Sequence, residues 1–485
     1  MKIYAIILSL IFSGILFAQN LTTGMLYRDY FNYKCFGINK KEIKPELIYS
    51  LIENIKKADT SLHIVIKGRS LEERPIYLVK YGFGKIHVLL WSQMHGDEST
   101  ATEALIDIFN FLKANDSYNK FRQLLKKKLT IFFIPMLNPD GAFRFKRRNA
   151  LQIDLNRDAA RLQFPESRLL ETIRDSVKPL FGFNLHDQQK YYAAGRTFYP
   201  ATISFLAPAF NFNKDTNSVR RRTMKLIANI SRGLEEIIPG HIGRYNDDFE
   251  PRAFGDNFVK KGTASVLIES GGWPGDDNKQ FVRELNFIAI LYALQSIATG
   301  EFNSFPVKAY FRIPENKRIL FDIIFRNLKI NFNNKSYLVD VAINREELPT
   351  ENFESVNFVS KVEDIGDLST FYGYEEYDCA GMELRPAKIL NKNFEFNDLN
   401  TLPLDSLYSM GYSFVSVNNM PDSIKYFKGI NLVTGKFKAG NLKLNKPANF
   451  IIVKNNRIVF NVINGFVFNN ISKKGRIQNG IIFKK

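Results

Sequence analysis

The stretch Ile86-His87-Val88-Leu89-Leu90-Trp91-Ser92-Gln93-Met94-His95-Gly96-Asp97-Glu98 runs from a dense apolar segment into a cluster of polar residues. The segment Ile86 to Trp91 reads as a buried strand, because it is short and almost continuously apolar. At its mouth His95 and Glu98 stand three residues apart, a spacing from which one turn of backbone can hold a divalent metal; an imidazole nitrogen with a carboxylate oxygen suits zinc. The same spacing also occurs in solvated turns that do no more than start a helix. Its meaning therefore depends on the rest of the chain.

Three further apolar runs end in the same way. Leu129 to Met136 leads into Leu137-Asn138-Pro139-Asp140-Gly141, Phe181 to Leu185 into His186-Asp187, and Ala264 to Ile268 into Glu269-Ser270-Gly271-Gly272. In open α/β sheets the ligand crevice lies at the carboxyl ends of the strands, and here four probable strands each end in groups capable of chemistry. Helices separate them. Thr100 and Glu103 form a capping-box pattern before an apolar stripe at Ala101, Ala104, Leu105, Ile108 and Leu112, and core stripes recur over about 218–238 and 279–299. Pro139-Asp140-Gly141 reads as a turn. Beyond it lie Arg147-Arg148-Asn149 and Ile153-Asp154-Leu155-Asn156-Arg157-Asp158. Guanidinium groups can bind a carboxylate bidentately and an asparagine amide can add a hydrogen bond, although each arginine taken singly reads as part of a basic surface loop.

Taken together, H-x-x-E, N-P-D-G, R-x-N, D-L-N-R, a strand-end histidine and a final strand-end glutamate follow one another over about residues 45–300 in an order that resembles the zinc carboxypeptidase family of metallopeptidases. The resemblance implies an α/β fold, a mixed twisted sheet flanked by helices. It implies one Zn2+ per chain held by His95, Glu98 and His186, with Glu269 as general base and Arg147 polarising the scissile carbonyl; Arg148 is the fallback if the register slips by one. Asn156 and Arg157 would hold the substrate's terminal carboxylate, Asp154 would orient His95, and Tyr245 is the candidate for the tyrosine that caps bound substrate. The residues setting side-chain preference would fall near Phe254 and Gly255, neither of them charged. Asp158 stands where the family commonly has asparagine. His241, in a turn after a helix, is the rival third ligand to His186.

Length and composition fit this picture. A chain of 485 residues exceeds what one core usually supports. Residues 19–305 are expected to form the catalytic domain. From 306 to 485 the texture changes to short alternating strands, including a hairpin at Phe450 to Phe460 with Asn455-Asn456 at its turn, so a β-rich C-terminal domain of unknown role is expected. The formal net charge is +18, but the lysines are dispersed rather than gathered into a basic platform, which argues against nucleic acid as a partner. Residues 1–18 read as a signal peptide, with Lys2 ahead of an apolar run and Ala18 before Gln19. Export to a periplasmic or extracellular space follows, with no stable membrane span. Cys35 and Cys379 either pair or remain separate thiols. Three functions are consistent with the residues: a secreted metallocarboxypeptidase acting on peptides, a zinc deacylase releasing an acyl group from an N-acyl amino acid, and a binding protein with a vestigial site. Both enzymatic readings imply a substrate with a free carboxylate.

Overall fold

The alternation of side chains along the strand Ile86–Ser92 divides the N-terminal half into two cores. Val88 and Leu90 point into one apolar cluster, Leu89 and Trp91 into another, and all four are fully buried. A strand covered on both faces has no use for polar alternation, which explains its unbroken apolar run. These observations come from a computed structural model that describes residues 21–350 and 352–484; the expected signal peptide, 1–18, lies outside the described residues.

In chain order the strands are β1 (Leu62–Arg69), β2 (Pro75–Tyr81), β3 (Ile86–Ser92), β4 (Leu129–Ile134), β5 (Phe181–Asp187), β6 (Tyr192–Ala194), β7 (Ile203–Leu206), β8 (Ile242–Arg244) and β9 (Ala264–Ser270). Eight of them form a mixed sheet in the order β1-β2-β4-β3-β5-β9-β7-β8. Its centre, β4-β3-β5-β9, is parallel, so all four strands end at one edge of the sheet. The junctions β2/β4 and β9/β7 are antiparallel. Helices Pro45–Ala58, Thr100–Lys113, Ser218–Glu235 and Gln280–Thr299 contribute to the larger core on one face, while Pro165–Val177 and Phe254–Lys260 cover the other. Gln280–Thr299 is, among the described residues, the one helix long and apolar enough to cross a membrane. Of its most apolar 18-residue window 89% is buried within the fold, so it packs as a core helix.

Two local details differ from the sequence reading. The helix after Glu98 starts one residue earlier than the Thr100/Glu103 box implies: Ser99 is its N-cap residue, its carbonyl accepting from Glu103 N, while Thr100 Oγ1 turns away to donate to Asp187 Oδ2. Pro139-Asp140-Gly141 is no simple turn but the start of a short helix, Pro139–Arg144. Proline at its first position costs no hydrogen bond, and Asn138 caps it by accepting from Gly141 N.

β10 (Asn316–Arg318) pairs with β6 and so ties the second half of the chain to the first. Then follow β11 (Leu320–Phe332), β12 (Lys335–Pro349) and β13 (Val356–Gly366), an antiparallel set within a second eight-stranded sheet. That sheet also holds the hairpin Phe450–Lys454/Arg457–Ile463. Asn455 and Asn456, at φ 49° and 60°, supply the left-handed turn that two-residue hairpins favour. A separate five-stranded sheet includes the parallel strands Lys388–Phe394, Tyr412–Val417 and Asn431–Val433. Ile323, Phe325 and Phe450 centre one C-terminal core, Val415, Leu432 and Ile463 another. Cys35 and Cys379 are both free thiols, Cys379 buried in the first of these cores.

The deepest ionic contact closes the larger N-terminal core. Arg283 and Asp107, both fully buried, pair through two hydrogen bonds of 2.7 and 2.6 Å; Tyr30 Oη and Cys35 N also donate to Asp107. Removing one partner strands the other charge in the core. Asp107→Ala is therefore expected to destabilise the fold by about 3–5 kcal/mol, read as a lowered denaturant midpoint, whereas a midpoint shifted by only a few tenths of a molar would show that the pair carries little.

Candidate metal centre and its cavity

The loop after β3 is shaped by two glycines. A Cβ on Gly96 would stand 2.0 Å from the Gly141 carbonyl carbon, so the loop and the start of helix Pro139–Arg144 meet backbone to backbone. Asn138 Nδ2 donates to Met94 O across this contact at 3.1 Å, and Gln93, at φ 50°, turns the chain out of the strand. His95 and Glu98 are thereby presented at the edge where β5 also ends.

There the side chains converge. Glu98 lies between two imidazoles, its Oε1 2.7 Å from His95 Nδ1 and its Oε2 2.7 Å from His186 Nδ1. One donor atom from each of the three residues falls within 4.8 Å of the others, and all three residues are buried. Asp154 Oδ1 lies 3.0 Å from His95 Nε2, held there because the same carboxylate caps the turn Leu155–Arg157 by accepting from Asn156 N. The Arg147 guanidinium covers the group: Nε and Nη2 donate to Asp154 Oδ2, and Nη1 to Glu98 Oε1 at 3.1 Å.

This arrangement calls for a cation. His95 faces a carboxylate on each ring nitrogen, and a neutral imidazole carries one N–H; with that N–H on Nε2 toward Asp154, Nδ1 can accept from Arg147 Nη1 at 3.0 Å, but its lone pair then faces Glu98 Oε1 at 2.7 Å, a contact that a proton or a metal relieves. With no metal, burial pulls the His95 imidazole down, but Glu98 and Asp154 outweigh it and push it up to about 9. His186 shares only the one carboxylate, and burial keeps it below its ordinary value. Burial also raises the Glu98 carboxyl, yet the two imidazoles hold it well below the usual range. Two imidazoles and a carboxylate, with the far nitrogen of one ring anchored by a second carboxylate, form a donor set that fits zinc.

The cluster opens into a cavity of about 610 Å³. Glu269, the neighbour of His186 in the β5/β9 register, lines it without a hydrogen bond to its carboxylate among the described residues. Burial, then Glu98, drives that carboxyl well above its ordinary value. Asn156 and Arg157 line the same cavity. Asn156 Oδ1 accepts from Phe254 N, and its amide donors have no partner among the described residues, while Arg157 pairs with Glu250 at 3.3 Å. Tyr245 also lines it, anchored by its backbone N–H to Phe205 O, and burial followed by Glu269 raises its hydroxyl. His241 stands elsewhere, packed between Tyr199 and Trp273 with Nδ1 3.0 Å from Pro200 O. Arg148 points away and donates to Gln152 O.

Near Phe254 and Gly255 the wall is made by their neighbours. Phe254 itself is fully buried and packs on Phe258. At 100° per residue the helix Phe254–Lys260 turns Phe254 to the core and brings Asp256 to the wall, so the charged group at this place is one that reading Phe254 and Gly255 alone leaves out. Burial pushes Asp256 up to about 7. Asn184 and Gln188 also line the cavity. Asn184 stands two residues before His186 in β5 and Gln188 two residues after it, just past the strand's end, and a period of two counted from the histidine finds both.

Comparison with known proteins matches residues 48–179 to the zinc carboxypeptidase family. A probable carboxypeptidase 2 of Arthroderma benhamiae is 30% identical over 150 residues, 30% of this chain and 27% of that protein. Carboxypeptidase SOL1 of Arabidopsis thaliana is 36% identical over 72 residues, 15% of each. The chain thus spans about a quarter of the length of the fungal relatives it matches. Among solved structures, a metallo-carboxypeptidase from Burkholderia cenocepacia aligns with a TM-score of 0.43 at 17% identity, over 53% of this chain and 70% of that one.

Elemental analysis of the purified chain is expected to find one zinc per molecule, and none in His186→Ala. Full zinc occupancy in that variant would exclude this cluster as the binding site.

Proposed function

We propose that this chain, which carries a zinc carboxypeptidase family domain over residues 48–179, is an exported zinc metallocarboxypeptidase that hydrolyses the C-terminal bond of peptides. The observation that carries the reading is the convergence of His95, Glu98 and His186 beside an unpaired, buried Glu269 in one cavity that also holds Asn156 and Arg157. In this reading residues 19–305 form the catalytic unit, and 306–485 a β-rich unit attached to it.

When bound, zinc supplies a Lewis acid and lowers the pKa of a coordinated water to roughly 7. The protein's residues do the rest. Asn156 amide hydrogens and the Arg157 guanidinium receive the terminal carboxylate, Arg157 giving up part of its contact with Glu250. Arg147, already held over the cluster by Asp154, donates to the oxygen of the scissile carbonyl as negative charge grows there; one such donor contributes about 3–4 kcal/mol of barrier lowering. Glu269 takes the proton of the attacking water and passes it to the departing amine nitrogen as the C–N bond breaks. Its raised proton affinity comes from burial and neighbouring carboxylates, and a cation at the cluster opposes that rise. Tyr245 closes the cavity over the bound residue.

A substrate panel tests this. Peptides with a free C-terminus are expected to lose their last residue in the presence of zinc and not with a chelator, while C-terminally amidated peptides and N-acyl amino acids stay intact; Glu269→Gln retains the metal and loses at least 10³-fold in turnover. Cleavage of N-acyl amino acids alone would identify a deacylase instead, and undiminished activity of Glu269→Gln would remove the glutamate from the mechanism.

A further inference from the structure

A second cavity, of about 480 Å³, meets the first at Glu98, Arg147 and Asp187. Its far wall belongs to the β-rich half: Arg345, Glu346, Glu347 and Pro349 of β12 line it. Consecutive residues of a strand point to opposite faces, so a cavity touching residues 345, 346 and 347 meets the strand at its edge. That edge is open. β11 pairs with β12 only as far as Ile343, whereas β13 pairs with it to Pro349 on the other side. The two halves are fixed together around the cavity by the Lys41–Glu347 ion pair, by Lys190 with the buried Asp322 at 2.6 Å, and by the β6/β10 pairing.

Charge in this cavity is unevenly satisfied. Each cation already has a carboxylate: Lys41 has Glu347, Arg147 has Asp154, Lys190 has Asp322, Lys279 has Asp187, Arg345 has Glu375. Five acids of the wall, Glu42, Asp97, Asp276, Asp277 and Glu346, form no ion pair among the described residues; of these, Asp276 is taken up by the backbone N–H groups of Gln280, Phe281 and Val282, and Asp97 sits beside the cluster, which leaves Glu42, Glu346 and Asp277 facing the far part of the cavity. Glu42 is only 6% exposed, and its Oε1 has no hydrogen-bond partner. A buried carboxylate oxygen left without a donor is costly unless something brings one.

Substrate polarity then assigns the cavity. If Asn156 and Arg157 take the terminal carboxylate on one side of the cluster, the peptide must leave past His95 and Glu98 on the other side, into this second cavity. We propose that the cavity between the catalytic face and the β12 edge receives the peptide on the amino-terminal side of the scissile bond, and that Glu42, Glu346 and Asp277 select a lysine or arginine side chain or a free α-amino group there. The β-rich half is thus part of the substrate cleft. An extended chain suits an open strand edge, with side-chain charge supplying selectivity. This inference rests on the peptidase reading above.

The test uses the zinc-loaded chain and two peptides of equal length and identical C-terminal residue, one with lysines and the other with glutamates in the three positions before the scissile bond. At low salt kcat/KM is expected to favour the lysine peptide about tenfold, and Glu346→Lys, at an exposed position that carries no core contact, is expected to bring the ratio to about one or below. Cleavage of both peptides with no preference, or a preference unmoved by Glu346→Lys, overturns the inference and leaves the peptidase reading intact. Cleavage of neither overturns the peptidase reading and this inference with it.

Discussion

A carboxylate taken out of water must be neutralised where it sits, and Glu98 is neutralised by imidazoles presented at the ends of two neighbouring strands. His95 comes from the loop after β3 and His186 from the end of β5, which lie side by side in parallel register. The contact exists only because both strands run the same way and stop at the same edge. Parallel order in turn requires a helix over each crossover, hence two apolar layers and strands with no polar alternation. The site and the core are thus consequences of one arrangement. A large change in either face of the sheet would move the ends of β3 and β5 relative to each other, and 4.8 Å of shared space around Glu98 leaves little room for that.

The surrounding contacts hold the group in place. Asp154 and Arg147 bind each other and the cluster at once, Asp154 through its cap on the turn Leu155–Arg157 and Arg147 through three nitrogens. The loop glycines let Gly96 and Gly141 touch, which draws the H-x-x-E and N-P-D-G segments together. Each of these short segments is weak as a signal in isolation, and the geometry shows why they occur together: they form one packed edge of the sheet.

Much of the architecture is legible in the chain alone. Four apolar runs with polar ends announce buried strands, and the long stripes at 218–238 and 279–299 announce helices, because period and burial are local properties. Other features are not local. Asp256 is missed by counting to Phe254, since which face of a two-turn helix meets a cavity depends on what packs behind it. The earlier start of the helix at Ser99 follows from Thr100 being drawn to Asp187, nearly ninety residues on. Asn184 and Gln188 could have been read from strand alternation beside His186. The contribution of β12 to a cavity at the cluster could not, because nothing in residues 345–349 reveals where the β-rich half docks.

The most direct test of the account is zinc K-edge X-ray absorption on the zinc-loaded chain, which reads the donor set itself. Nitrogen and oxygen neighbours at about 2.0–2.1 Å are expected, with the more distant scattering of two imidazole rings and no sulfur. A sulfur shell at about 2.3 Å, or a first shell without imidazole, would contradict the assignment of the metal to His95, Glu98 and His186.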